Sequence, residues 1–270
     1  MIYDREYFSK IIADKILKNE NEIYEQFNSG NKISSFIIDE LLPVEEATKI
    51  YNSFPKPEDM KVKKSLREYK FIDAQLNKHN KILEEITYAF HEKIVIDAIS
   101  KTIKINGLIA DEQLYAGGLS RMEKGQYLNP HLDNSHNKDR SLYRVLNLLY
   151  YVSPNRKIED GGNLELWDEG PKKEQRTIYS KFNRLVVMIT NRDSWHSVSK
   201  LEKGARCCIS NYYFSEKPLT KEDYFHITSF RGFPNQYIRD KVLLLDIKLR
   251  MGLRKIFKKG IVDNSHVYKK

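Results

Sequence analysis

R-M-E-K-G-Q-Y-L-N-P-H-L-D, from Arg121 to Asp133, is the stretch on which the reading of this chain turns. On an extended strand, side chains two apart leave the same face. His131 and Asp133 stand in that relation, so an imidazole and a carboxylate project together. Such a pair makes two-thirds of a facial metal site. The third ligand must come from elsewhere, and W-H-S-V-S-K at Trp195 to Lys200 offers His196 as the best candidate. Two histidines and one carboxylate, with three positions left open, suit Fe(II) and oxygen chemistry.

An isolated H-x-D arises often by chance, and Arg206 is what changes the odds. The segment A-R-C-C-I-S-N-Y-Y-F, Ala205 to Phe214, reads as a strand rich in β-formers. Arg206, Cys208, Ser210 and Tyr212 share one of its faces. A charged residue pointing inward on a strand fit for a core needs a partner. A bound dicarboxylate supplies one, with the guanidinium forking onto it and the Ser210 hydroxyl donating a further hydrogen bond.

With those residues in view, the region from about Gln113 to Ser215 resembles the 2-oxoglutarate- and Fe(II)-dependent dioxygenase superfamily, in its prolyl-4-hydroxylase-like branch. The likeness is carried by Y-L-N-P-H-L-D, R-V-L-N-L-L-Y-Y-V-S (Arg144 to Ser153) and G-G-N-L-E-L (Gly161 to Leu166). It continues through N-R-L-V-V-M (Asn183 to Met188), S-W-H-S-V (Ser194 to Val198) and R-C-C-I-S-N-Y-Y-F, in the family's order and spacing. The two ends of the chain are not covered with comparable force.

The resemblance implies that His131, Asp133 and His196 hold Fe(II), with 2-oxoglutarate as co-substrate, O2 as oxidant and ascorbate as reductant. It implies that Arg206 and Ser210 receive the far carboxylate of the keto acid, and that Tyr151 touches it as well. Tyr127 is expected in the pocket wall. The reaction implied is hydroxylation of an unactivated C–H, releasing succinate and CO2. Asp133 argues for hydroxylation over halogenation, because halogenases lack this carboxylate. His136, Trp167, Arg192 and Trp195 are expected on the substrate side, with Arg140, Arg144 and Arg192 as candidates to meet an anionic substrate.

A chain of 270 residues can bury a substantial core, and one large domain with additions is expected. Lys and Arg number 46 against 37 Asp and Glu, a net charge of +9 that favours acidic partners. Much of that excess is local: Arg239 to Lys259 holds eight basic residues against Asp240 and Asp246. The two cysteines, Cys207 and Cys208, are adjacent and point opposite ways on a strand, which disfavours a bridge and fits a reducing compartment. The first residues lack the apolar run of a signal peptide, and no stretch approaches a membrane span, so a cytoplasmic location is expected.

The fold class expected is α+β: a double-stranded β-helix, or jelly-roll, core with N-terminal helices packed on one sheet and a C-terminal basic helix. Residues 1–110 read as a largely helical support, 111–218 as the dioxygenase core and 219–270 as a basic extension. In the first part, Ile11 to Phe27 and Ile82 to Ile99 carry helical periods, Phe36-Ile37-Ile38 a short strand, and Val44, Ala47, Ile50 and Tyr51 an inward face behind Pro43. From Tyr115 to Tyr213 short alternating strands and turn clusters take over. In Tyr237 to Phe257, Val242, Leu245, Leu249, Leu253 and Ile256 share one face of a basic amphipathic helix. That helix is expected to dock on the core, to pair with another copy or to touch an anionic surface.

The leading functional reading is therefore a hydroxylase of a small-molecule or glycan-type metabolite. A protein (prolyl) side-chain hydroxylase and a non-catalytic jelly-roll module binding a metal or ligand stand as alternatives, because a fold does not fix a target. Nucleic-acid binding through the basic tail is a third reading.

Overall fold

The computed structural model describes residues 3–220, 222–257 and 267–269. Lys258 and Lys259, the last two of the basic residues counted above, lie outside them.

The described residues form six α-helices: α1 (Arg5–Lys18), α2 (Glu20–Phe27), α3 (Val44–Asn52), α4 (Lys81–Ala89), α5 (Lys93–Ile103) and α6 (Tyr237–Ile256). Among the strands, the N-terminal third supplies β1 (Ser35–Asp39), β2 (Lys61–Lys64), β3 (Glu68–Asp73) and β4 (Ile109–Ala110). The middle supplies β5 (Gly118–Met122), β6 (Tyr127–Leu132), β7 (Tyr143–Tyr151), β8 (Leu164–Leu166) and β9 (Arg176–Ile178). Then follow β10 (Arg184–Ile189), β11 (His196–Val198), β12 (Arg206–Ser215) and β13 (Ser229–Phe230).

All these strands join one antiparallel 13-stranded sheet in the order β1-β10-β7-β12-β5-β3-β6-β11-β8-β9, with β13, β2 and β4 paired on β6, β3 and β12. The sheet curls into a jelly roll, which leaves few free edges. The region expected to be helical support is thus also part of the sheet, because β1 extends one end and β3 bridges β5 and β6.

The period-two alternation of the central strands sorts their side chains between two apolar layers. Leu146, Leu148 and Tyr150 of β7, Leu185 and Val187 of β10, and Cys207, Ile209 and Tyr213 of β12 face the helices. There they meet Phe8, Ile12 and Ile16 of α1, each fully buried and each contributing about 1.5–3 kcal/mol. Leu149 and Tyr151, Val186 and Met188, and Cys208 take the inner face with Leu164 and Leu166. Cys207 and Cys208 are both buried and unbridged.

Several boundaries differ from the sequence reading. The first helix is broken at Asn19, whose side chain donates to the Lys15 carbonyl. The second breaks at Phe90-His91-Glu92, where β12 takes up the freed groups: Tyr213 donates to the Phe90 carbonyl and His91 bonds Asn211. The apolar period runs through that break unchanged, which is why the sequence did not betray it. Val44 and Ile94, expected to face inward, are 65% and 45% exposed.

The largest departure is α6. Val242, Leu245, Leu249, Leu253 and Ile256 are all exposed, so the apolar stripe points away from the core. The contacting face is held by ions instead. Asp240 accepts from both arms of Arg231 and from the Gly232 amide, and Asp246 accepts from Arg67 and Arg250. Leu243 packs with Met122, Leu128, Val198 and Phe230. No helix among the described residues is long and apolar enough to cross a membrane.

Candidate active site

Strand β6 delivers His131 in its last turn of pleat, and Asp133 follows just past the strand end. Strand β11 opens on His196, whose register partner across the antiparallel pair is His131. Direct cross-strand pairing brings the two imidazoles to 4.1 Å between ring centroids. The chain segments that were far apart in sequence thus meet at one point. His131 and His196 are both buried, and Asp133 lies between them with only 11% of its side chain exposed.

Each ring is held by its own main chain. His131 Nδ1 sits 3.0 Å from the Asn129 carbonyl and His196 Nδ1 3.0 Å from the Ser194 carbonyl, both two residues back. A carbonyl only accepts, so each Nδ1 carries the proton and each Nε2 presents a lone pair. Those Nε2 atoms lie 3.7 Å from the two Asp133 oxygens. One ligand atom from each residue falls within 4.8 Å of the others. Atoms bound at about 2.1 Å to a common ion are about 3–4 Å apart, so these separations suit a shared centre. Asp133 Oδ2 is buried with no hydrogen-bond partner, an unmet acceptor that a cation would satisfy. The set of two nitrogens and one carboxylate fits a divalent iron.

Electrostatics keep the ligands in their binding forms. Burial and the neighbouring His196 push the His131 imidazole down to about 3, so it is neutral near pH 7. Burial alone would raise the Asp133 carboxyl. The His196 imidazole and the Arg144 guanidinium beside it overcome that and hold it below the usual carboxylate range. Arg144 is fully buried, with Nη1 3.7 Å from Asp133 Oδ2, Nη2 donating to the Tyr115 carbonyl, and its plane 3.8 Å from the Tyr212 ring. The sequence offered it as a candidate to meet an anionic substrate; it stands instead behind Asp133, with its charge against that carboxylate.

A cavity of about 240 Å³ opens beside the triad, and Arg206, Ser210 and Tyr212 line it from β12. The alternation predicted for this strand is the one found. Arg206 is 3% exposed, its Nε has no hydrogen-bond partner, and its Nη1 reaches only the Met122 sulfur at 3.9 Å. Tyr151 lies behind it, ring to guanidinium at 4.9 Å, outside the cavity lining but with a buried hydroxyl that also lacks a partner. Tyr127 does not line the cavity; its hydroxyl donates to the Ser65 carbonyl and Arg239 lies over its ring.

The residues expected on the substrate side lie elsewhere. Trp167 donates to Ser197 and packs on Phe233, His136 bonds Ser135, and Arg192 pairs with Glu222. Arg140 stacks on Phe225, and the Trp195 amide and carbonyl are spent on loop bonds to Asp193 and Trp167. None of these five lines the cavity. In their place the mouth carries Lys63, Arg67, Lys70 and Arg250, with Asn147 deeper in. The hairpin of β2 and β3 does leave a signal in the sequence: charged and apolar residues alternate over Lys61-Val62-Lys63 and Glu68-Tyr69-Lys70-Phe71.

Comparison with known proteins agrees with this geometry. The family model of the 2OG-Fe(II) oxygenase superfamily matches residues 117–214. A prolyl 4-hydroxylase structure from Phytophthora capsici aligns with a TM-score of 0.54 at 17% identity, covering 93% of this chain and 76% of that one. A prolyl-4-hydroxylase from Pseudomonas putida aligns at 0.52 with 13% identity, covering 75% and 100%. No curated protein sequence matches the chain. The matched segment spans both strands that carry the metal-ligand set and the strand that carries Arg206. Over this core, residues 117–214, the chain is similar to the 2OG-Fe(II) oxygenase superfamily, and it shares the fold of the prolyl 4-hydroxylase structures.

Proposed function

We propose that the protein hydroxylates an unactivated C–H of a small-molecule or glycan-type metabolite, using O2 and 2-oxoglutarate and releasing succinate and CO2. The observation that carries this reading is the convergence, on one cavity, of the His131–Asp133–His196 cluster and a buried guanidinium with an unmet donor. A module that only held a metal would have no use for Arg206 at that place.

Each residue then has a defined task. His131 and His196 would each offer a ring nitrogen and Asp133 a carboxylate oxygen to a ferrous ion. Arg206 forks onto the far carboxylate of 2-oxoglutarate, Ser210 donates beside it, and the Tyr151 hydroxyl completes the set. Inner-face residues such as Leu149 and Leu164 exclude water around that chelate. The bound iron and keto acid supply the oxidative chemistry. Ascorbate serves as the reductant that keeps the metal ferrous. The two unbridged cysteines support a reducing, cytoplasmic setting.

The cavity volume supports a small target. At about 240 Å³ it falls below the roughly 300–1,000 Å³ of sites that engulf a drug-sized ligand. It must hold 2-oxoglutarate as well, so only a compact substrate, or one end of a larger one, reaches the metal. Succinate release from 2-oxoglutarate with Fe(II), O2 and ascorbate tests the reading. Turnover is expected, with loss in His131→Ala and His196→Ala. Absence of both turnover and calorimetric binding of 2-oxoglutarate would leave a non-catalytic module.

A further inference from the structure

The mouth of the cavity carries more positive charge than its ion pairs consume. Glu68 lies 3.1 Å from Lys70 and 3.7 Å from Lys63, one carboxylate shared by two ammonium groups. Asp246 repeats the pattern with Arg67 and Arg250. Each triad therefore retains one positive charge, two in all. Lys63, Arg67, Lys70 and Arg250 all line the cavity, and none has more than 39% of its side chain exposed.

Structural ion pairing asks for one cation per carboxylate, and partly buried charge beyond that costs free energy. Burial lowers the Lys63 pKa despite the attraction of Glu68, a sign that this cation is incompletely compensated. The co-substrate does not account for the excess, because its far carboxylate is claimed by Arg206 on β12. The rim comes from other elements: the β2–β3 hairpin, and α6 through Asp246 and Arg250, with Arg250 also tied to the Thr228 carbonyl. Two guanidinium forks and two mobile ammonium groups suit tetrahedral oxyanions, and a phosphate monoester carries about −1.5 to −2 near pH 7, the match to this surplus.

We propose that the substrate is a phosphorylated small molecule, its phosphate monoester held at the mouth by Lys63, Arg67, Lys70 and Arg250 while the carbon end reaches the metal cluster. This rests on the oxygenase reading for the reaction, though the anion site itself does not depend on turnover.

The test is calorimetry on the full chain loaded with Ni(II) and 2-oxoglutarate in phosphate-free buffer. The probes are glycerol 3-phosphate and glucose 6-phosphate, against glycerol, glucose and malonate. The phosphomonoesters are expected to bind and the neutral parents not. Lys63→Gln/Lys70→Gln should weaken that binding about tenfold or more, and added salt should weaken it further. Each single variant, checked by circular dichroism, should show part of the loss and so keeps the test open should the double variant misfold. Lys10→Gln, an exposed lysine of α1 that does not line the cavity, should leave phosphomonoester affinity within about twofold. Equal binding of phosphorylated and neutral probes would overturn the proposal. So would a loss confined to Arg206→Met, which would mean the phosphate had entered the keto-acid pocket. Malonate binding as well as the phosphomonoesters, with the same dependence on the lysines, would overturn the phosphate assignment. Succinate release by the iron-loaded enzyme is read separately: its absence beside intact phosphomonoester binding would refute the oxygenase reading and support the anion site.

Discussion

The guanidinium of Arg206 lies 4.9 Å from the ring centre of Tyr151, and neither Arg206 Nε nor the Tyr151 hydroxyl has a hydrogen-bond partner among the described residues. A buried cation with spare donors beside a spare hydroxyl would suit a carboxylate. Arg206→Met removes the charge at similar volume. It should raise the 2-oxoglutarate concentration needed for half-maximal succinate release by about 10- to 100-fold, corresponding to the ~1.5–3 kcal/mol of a hydrogen bond to a charged group. The same variant without co-substrate should be as stable as the parent or more so, because an uncompensated buried charge is gone. Thermal melts with and without 2-oxoglutarate check both halves.

Metal binding should be visible as stability. At about 100 times the dissociation constant, an ion that binds only the folded chain adds about 2.7 kcal/mol. Ni(II) or Fe(II) under argon is therefore expected to raise the melting temperature of the parent. His131→Ala and His196→Ala should abolish that rise, and Asp133→Asn should diminish it. A metal-dependent rise that survives both histidine variants would place the ion elsewhere.

An acid limb in the stability profile belongs to His91. Its ring is bonded to Asn211 Oδ1 at 2.8 Å, and burial pushes it down to about 4. Above about pH 7 the ring is neutral in both folded and unfolded chains and contributes nothing. As pH falls from about 6.5 to about 4, the unfolded chain takes up a proton that the folded one refuses, so stability drops by roughly 3 kcal/mol and then levels. Urea midpoints measured from pH 7.5 to 4 should show a shallower decline in His91→Gln than in the parent.

Gly161 ties the β11 end of the site to the rest. It has a φ of +73°, and a Cβ there would run into the Lys200 carbonyl, just after the strand that carries His196. Gly161→Ala combines left-handed strain with overpacking and should cost about 3 kcal/mol. Gly30, at φ +88° with open space around it, is the control: Gly30→Ala should cost only the strain, about 1–2 kcal/mol. Denaturation midpoints give the costs, and nickel affinity should fall in the first variant alone.

What the sequence disclosed, and what it hid, follows from where each signal resides. The face of β12 was legible because a strand buried on both sides still alternates, so Arg206, Ser210 and Tyr212 could be assigned a common face before any coordinates, whereas Tyr151 came from the family resemblance alone. The pairing of His131 with His196 was legible only as a demand for a third ligand; the register that meets it is a tertiary fact. The α6 pattern gave an apolar stripe but no sign of which way it turns, and ion pairs of Asp240 and Asp246 decided that. Arg144 read as a loop cation because its burial beneath Asp133 depends on the Tyr212 and Phe214 rings of another strand.

The two tethers from Nδ1 to the carbonyls of Asn129 and Ser194 have a bearing on how this protein can diverge. An acceptor that belongs to the peptide unit survives replacement of the side chain it comes from. Any substitution at 129 or 194 that preserves the backbone path therefore preserves the tether, and the orientation of both rings follows the course of the main chain.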